Sequence, residues 1–446
     1  MAVSAREPTP ISMEEAVGYD RIGDAPESPE DRLVLKHDRY FLLADGQGCL
    51  PPGGRSALGL FRDDTRILSC YELRFGGEAP ALLSTQLVER YLAQIDLAVS
   101  DRAFGGTAWD PKNVIHIRRE ILLDDRLIER VTLTSYLHVA VDYDVELVVG
   151  ADFADIFEVR GWKREQRGQF YTPEVRPRSI TFRYRDRAGE LLESTLCFAD
   201  PPAETHAGGA RWRLRLEPRE PRAIEWQLVA GGVAAALPRA HDLLARRIGP
   251  LRDGYARWRA ACTRWETDVE EFDLTLHHAV DDLFALYTGT DGDAVITAGI
   301  PWYSTVFGRD SIIASLETLP LNPRIAVDTL RYLARHQGVK TDPYTEEQPG
   351  RILHELRRGE MARTGEIPHT PYFGSIDATP LWLVLFHETW RWTGDEALVR
   401  ELLPHAARAL EWIDRFGDVD GDGFVEYAST SERGLVNQGW KDSSDG

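Results

Sequence analysis

The sequence predicts a multidomain β + α protein, an N-terminal antiparallel β-sandwich followed by an all-α domain built from helical hairpins. Three observations predict it: a hydrophobic period of two from Leu35 to Gly232, a change near Leu237 to Ala-, Leu- and Arg-rich sequence, and helical stripes from there onward. At 446 residues the chain has room for roughly two to three domains.

The first 34 residues are expected to form a flexible segment. Over 35–236, Ile67, Ser69, Tyr71, Leu73 and Phe75 line one face of a run that stops at the Gly76-Gly77 turn. Tyr143, Val145, Leu147 and Val149 alternate with Asp144, Glu146 and Val148. Trp212, Leu214 and Leu216 alternate with Arg211, Arg213 and Arg215, and Ile224, Trp226 and Leu228 repeat the pattern before Gly231-Gly232. One apolar and one wet face, with no helical segment between the runs, is the pattern of antiparallel sheets packed as a sandwich. A helical linker is expected over 237–266. Beyond it, Leu276, Ala279, Val280, Leu283 and Tyr287 form the stripe of an amphipathic helix. Further stripes run over 311–319, 324–337, 379–393 and 396–416, the last expected to divide into two helices at Pro404, since proline favours a helix's first turn over its interior.

Composition narrows the function. With 52 basic and 72 acidic residues the net charge is −20, so the sequence lacks the basic footprint that nucleic acid requires. Hydrophobic residues at 43% and charged residues at 28% are the balance of a folded globular chain. The four cysteines, Cys49, Cys70, Cys197 and Cys262, show neither a disulfide framework nor metal-ligand spacing. No signal-peptide core and no apolar run of membrane-spanning length occurs, so the expected location is the cytoplasm, without a membrane partner.

Five loops of the helical domain are unusually rich in aromatic and charged residues. In GIPWYSTVFGRDS (299–311), Trp302 and Tyr303 can stack on a sugar ring while Arg309 and Asp310 supply a donor fork and an acceptor for hydroxyls; alternatively Asp310 caps the following helix and pairs with Arg309. PGRILHELRRGE (349–360) holds His354 and Glu355, but an HExxH metal motif would need histidine where Arg358 stands, so no metal site is expected. PYFGSIDATP (371–380) places Asp377 at a turn or helix start. Asp418, Asp420 and Asp422 open like a calcium-binding EF-hand loop, yet Ser429 stands where the bidentate Glu belongs; a Gly-rich turn, with at most a weak calcium site to which Glu426 contributes, is the expectation. In NQGWKDS (437–443), a carboxyl at Asp442 behind the Trp440 indole can have its pKa raised by desolvation, as a general acid needs, with Lys441 acting in the opposite sense; taken alone, the tetrapeptide reads first as a solvated loop aspartate.

Taken in this order, these loops resemble the amylo-α-1,6-glucosidase, or glycogen-debranching-type, proteins. YFLLADGQGCL and GLFRDDTRILSCYELRFGG resemble their β-rich N-terminal domain. The resemblance implies that residues 267–446 form the N-terminal half of an (α/α)6 six-hairpin toroid, and that an α-glucosidic bond of glycogen or maltodextrin is cleaved with inversion by two carboxyl groups about 6.5–9.5 Å apart. It implies Asp442 as general acid, Arg309 and Asp310 as the grip on the outer hydroxyls of the terminal glucose, and Trp302, Glu355, Asp377 and Trp440 as pocket residues. The general base of such proteins has no matching motif before Gly446, so the chain is expected to be a truncated barrel, inactive alone. Hydrolysis of a small α-glucoside such as trehalose or a glucosylated organic acid, phosphorolysis, and carbohydrate binding without catalysis are the alternatives. The oligomeric state is left open.

Overall fold

The computed structural model describes residues 10–11, 32–53, 57–76, 80–100, 113–231, 242–289 and 293–442. Most of the segment expected over 1–34, the first residues of the linker expected over 237–266, and Gly446 lie outside them. The chain divides into two compact units, Met1–Asp253 and Gly254–Gly446.

The first unit is built from strands β1 (Pro10–Ile11), β2 (Arg32–His37), β3 (Tyr40–Asp45), β4 (Gly59–Arg62), β5 (Thr65–Leu68) and β6 (Cys70–Phe75). There follow β7 (Ala81–Glu89), β8 (Leu92–Ser100), β9 (Asn113–Leu123), β10 (Arg126–Ser135) and β11 (Val141–Gly150). A short helix α1 (Ile156–Val159) precedes β12 (Gln169–Arg176), β13 (Ser179–Arg185), β14 (Leu191–Phe198), β15 (Glu204–His206), β16 (Gly209–Leu216) and β17 (Pro221–Ala230). They form a nine-stranded sheet, β1-β12-β13-β14-β17-β10-β9-β8-β7, and two four-stranded sheets, β15-β16-β11-β6 and β2-β3-β4-β5. Leu35, Leu42, Leu60, Ile117, Val131, Val145, Trp212 and Trp226, drawn from all three sheets, belong to one hydrophobic core.

Alternation in sequence becomes two-sidedness in space. Along β16 the residues Trp212, Leu214 and Leu216 are buried while Arg211, Arg213 and Arg215 are exposed. Arg213 and Arg215 stand opposite Asp144 and Asp142 of β11 at 3.2 and 3.5 Å, so charge complementarity fixes the same register as the apolar face. The run from Ile67 to Phe75 is not one strand, as its period suggested. Ser69, whose N–H donates to Gly150 O at 2.8 Å, separates β5, paired with β4, from β6, paired with β11. The burial period lapses there: Ile67, Leu68, Cys70 and Tyr71 are all buried while Ser69 is half-buried, as the chain changes sheets.

Helix α2 (Leu243–Ala261) spans the division between the units, and the second unit continues with α3 (Glu270–Leu286), α4 (Gly308–Glu317), α5 (Arg324–Arg335), α6 (Glu360–Arg363), α7 (Ala378–Thr393) and α8 (Glu396–Trp412). Its short strands pair as β18 (Tyr287–Thr288) with β19 (Val295–Ile296), and β20 (Val306–Phe307) with β21 (Glu355–Leu356). Ile312, Leu330, Leu333, Trp382, Leu385, Leu398 and Leu402 join α4, α5, α7 and α8 in one core. The expected break at Pro404 is absent: α8 runs through it, capped by Asp395, whose side chain accepts from the N–H groups of Ala397 and Leu398. Leu398, Leu402, Ala406, Ala409 and Trp412 bury one unbroken stripe, and that packing outweighs the proline's lost hydrogen bond.

Candidate functional site

The site begins where β20 runs directly into α4. Phe307 pairs across the ladder with Glu355, and the Gly308 N–H donates to His354 O at 2.8 Å. A Cβ at Gly308 would lie 2.1 Å from Leu353 O, so only glycine lets the helix start this close to the neighbouring segment. Arg309 therefore leaves the first turn of α4 in a fixed position.

Its guanidinium joins three other segments. Nη1 donates to Asp377 Oδ2 at 3.1 Å and to Gly439 O at 2.9 Å, while Nη2 donates to Asp442 Oδ2 at 2.6 Å. The Trp440 ring lies 5.6 Å from the guanidinium carbon. Burial opposes the charge on Arg309, but the Asp442 and Asp377 carboxylates outweigh it and raise its pKa. Asp377 does not cap α7 with its side chain; its Oδ1 accepts from Ser375 Oγ at 2.6 Å, and its other oxygen turns to Arg309. Asp442 is about one-third exposed, at 31%, and among the described residues no hydrogen bond reaches its Oδ1. The indole of Trp440 is 71% exposed and covers Arg309, so the partner facing the Asp442 carboxylate is a guanidinium, not the apolar screen anticipated from the WKD sequence.

Below this cluster lies a buried one. Glu355, 4% exposed, meets Arg357 through Nε and the His369 Nδ1 at 3.0 Å. Burial alone would raise the Glu355 pKa, yet the Arg357 charge and the His369 ring hold the carboxyl well below the usual carboxylate range. Arg357 also donates to Trp302 O at 2.8 Å, so Glu355 acts through Arg357 on the Trp302 loop and does not face open surface. His354, 2% exposed, places Nε2 3.8 Å from Asp442 Oδ2, and among the described residues no hydrogen bond reaches its Nδ1. Burial pushes its pKa down to about 4, against the opposing influence of Glu355 and Asp442, so the ring is neutral at pH 7.

Of the seven residues singled out in the sequence, Arg309, Asp377, Trp440 and Asp442 meet directly. Glu355 and Trp302 are linked through Arg357. Asp310 neither caps α4, whose cap is Phe307, nor engages Arg309 in a hydrogen bond. It lies on the exposed side of the first turn, where partial burial raises its carboxyl pKa against the pull of Arg309. His354, Arg357 and Gln438 were not selected as site residues, although each stands inside a loop marked as chemical. Among the described residues the carboxylates of Asp418, Asp420 and Glu426 lie within 4.8 Å of one another. Asp422 instead accepts from the Phe424 N–H at 2.9 Å.

Residues 35–227 match the family described as the N-terminal domain of (some) glycogen debranching enzymes. Among solved structures, a human-microbiome protein assigned as a kojibiose phosphorylase shares the fold, with a TM-score of 0.54 and 11% identity. The match covers 84% of this chain and 56% of that one, so the chain spans little more than half of that protein's length. An Escherichia coli K12 protein assigned as an aldose 1-epimerase matches at a TM-score of 0.26 and 8% identity, over 45% of this chain and 99% of its own. A Synechocystis protein matches at 0.28 and 10%, over 48% and 99%. At those scores neither adds to the assignment of fold. No curated protein matches in sequence. Residues 35–227 of the β unit are thus similar to that N-terminal domain, and 84% of the chain is similar in fold to the protein assigned as a kojibiose phosphorylase. Among the described residues no helix is long and apolar enough to cross a membrane.

Proposed function

We propose that the protein cleaves α-glucosidic bonds, with Asp442 as the general acid and an oligo- or polysaccharide as substrate. The observation that supports this most is the Arg309–Asp442 contact at 2.6 Å, which holds one carboxylate oxygen, while among the described residues no hydrogen bond reaches Oδ1 and the exposed Trp440 indole lies against the same guanidinium. Oδ1 is the atom that would carry the proton to the glycosidic oxygen. Arg309 has five N–H groups and spends three on Asp377, Gly439 and Asp442; the remaining two are donors for sugar hydroxyls. Trp440 and Trp302 offer ring faces on which a pyranose stacks, and Asp310 adds an exposed acceptor. Glu355 and Arg357 hold the Trp302 loop in place.

In the hydrolytic form of this reaction a second carboxylate activates water and the anomeric centre inverts. That base is not assigned to a residue of this chain, and no part is given to a metal. Phosphorolysis, in which phosphate attacks and no base is needed, is a second possibility favoured by the fold shared with the protein assigned as a kojibiose phosphorylase. Glucose and glucose phosphate release should be measured on a branched limit dextrin, isomaltose, kojibiose, maltose and trehalose, with and without phosphate. The proposal expects glucose release from an α-1,6 substrate independent of phosphate and lost in Asp442→Asn. Strict phosphate dependence would establish the second possibility, and turnover untouched by Asp442→Asn would remove Asp442 from the chemistry.

A further inference from the structure

One buried carboxylate outside the cluster organises the segment that delivers Asp442. Glu346, 3% exposed, accepts five hydrogen bonds. Its Oε1 receives Ser429 Oγ at 3.1 Å, the Thr430 N–H at 2.8 Å and the Ser431 N–H at 3.0 Å. Its Oε2 receives the Gln438 side-chain amide at 2.5 Å and the Tyr372 hydroxyl at 3.3 Å. The far side of Gln438 is held as well: its Oε1 accepts from Arg351 Nη2 at 3.1 Å and its carbonyl from the Ile376 N–H at 2.9 Å. Arg351 returns to Glu346 O at 3.0 Å, closing a ring of contacts around the 429–438 loop. The next residue, Gly439, is the one whose carbonyl receives Arg309.

The backbone at Glu346 has φ of +56°, a left-handed conformation that costs a non-glycine residue about 1 kcal/mol or more and persists only where the surroundings impose it. Closure of the loop is correspondingly tight. A Cβ at Gly434 would lie 2.4 Å from the Tyr372 hydroxyl, which itself receives the Leu435 N–H at 2.7 Å. A carboxylate with two acceptor oxygens is the one side chain of this length that can take all five donors. With glutamine in its place, an amide NH2 would face the NH2 of Gln438.

We propose that Glu346 is the positioning residue of the site: its carboxylate sets the 429–438 loop, and through Gln438 and Gly439 fixes where Asp442 stands relative to Arg309. The proposal rests on Asp442 being the general acid, and its test separates the two. Trypsin cleavage after Arg433 measures the hold on the loop without any assay of activity; kcat and KM on the glucoside turned over measure its consequence. Glu346→Gln should speed cleavage after Arg433 by about tenfold or more and lower kcat about 10- to 100-fold with KM within about threefold, as a small misplacement of a catalytic group does. The exchange variant Glu346→Gln with Gln438→Glu restores an acceptor opposite an amide and a partner for Arg351, so both readouts should return to within about threefold of the parent. Unchanged cleavage in Glu346→Gln, or a loosened loop with undiminished kcat, overturns the proposal. An effect of Asp442→Asn that is absent while the proteolysis result holds counts against Asp442 as the acid and leaves the hold of Glu346 standing.

Discussion

Replacing His354 with phenylalanine should remove an acid lability that the histidine builds into the helical unit. The ring stands edge-on to Phe307 and Tyr372, at centroid distances of 5.6 and 6.0 Å. Burial lowers its pKa from 6.5 to about 4. Between these values the unfolded chain binds a proton that the folded chain does not, so stability rises with pH across the window. The cost is absent above pH 6.5 and reaches ~3 kcal/mol once the pH has fallen to about 4, a slope of at most ~1.4 kcal/mol per pH unit. Glu355 does not confuse the measurement. Its folded pKa is depressed, so its contribution is present above the ordinary carboxylate range of about 4.5 and is lost only as the pH falls below it. Urea unfolding of the parent and of His354→Phe, followed by helical circular dichroism from about pH 7.5 to about pH 5, isolates the effect as a difference. At the upper end the two should agree within ~1 kcal/mol, because phenylalanine nearly conserves the volume and the buried Nδ1 gives up no hydrogen bond. Toward acid the parent should lose stability faster. Parallel profiles would refute the assignment of a neutral, proton-excluding His354.

Two substitutions probe the scaffold around the site and the β core. Gly308→Ala drives a methyl group against Leu353 O, so it should destabilise the helical unit by ~2–3 kcal/mol in denaturant unfolding; a change below ~0.5 kcal/mol would mean the β20–α4 junction is not held closely. Glu129 and Arg119 are each fully buried and meet at 2.6 Å in the core of the β unit, where Glu129 also receives the Tyr71 hydroxyl. Glu129→Gln should cost that unit ~3–5 kcal/mol because it leaves a buried guanidinium without its counter-charge, and an unchanged unfolding midpoint would contradict this.

The β unit was largely legible because its information is local. Arg211, Arg213 and Arg215 sit between buried Trp212, Leu214 and Leu216, and the same alternation that marks a strand also points its faces. The change of sheets at Ser69 was hidden, since the sequence period of Ile67, Tyr71, Leu73 and Phe75 runs on through it and does not show that Leu68 and Cys70, off that period, are buried as well. Pro404 misled for a related reason: a helix-breaking preference of a few kcal/mol is local, whereas the buried stripe that overrides it is collective. In the site, the loops were recognisable by composition, but their pairing was not. Arg309 binds Asp442 across 133 positions of sequence and Asp377 across 68, and nothing in either loop specifies the other. His354 was set aside on the spacing of a metal motif, although its place comes from packing beneath Asp442. Glu346 was unmarked because the donors to its Oε1, one hydroxyl and two backbone N–H groups, are supplied by a loop 83 to 85 positions later.

The central claim, that Asp442 delivers a proton to a departing sugar oxygen, is tested most directly by a leaving group that needs no proton. Turnover by the parent and by Asp442→Asn should be compared on an unactivated α-glucoside and on α-glucosyl fluoride. A general acid lost at Asp442 predicts a fall of ~10²- to 10⁴-fold on the glucoside, with the fluoride slowed by no more than about tenfold. Equal losses on both substrates would mean that Asp442 holds the site together without donating the proton, and no loss on either would place the chemistry elsewhere.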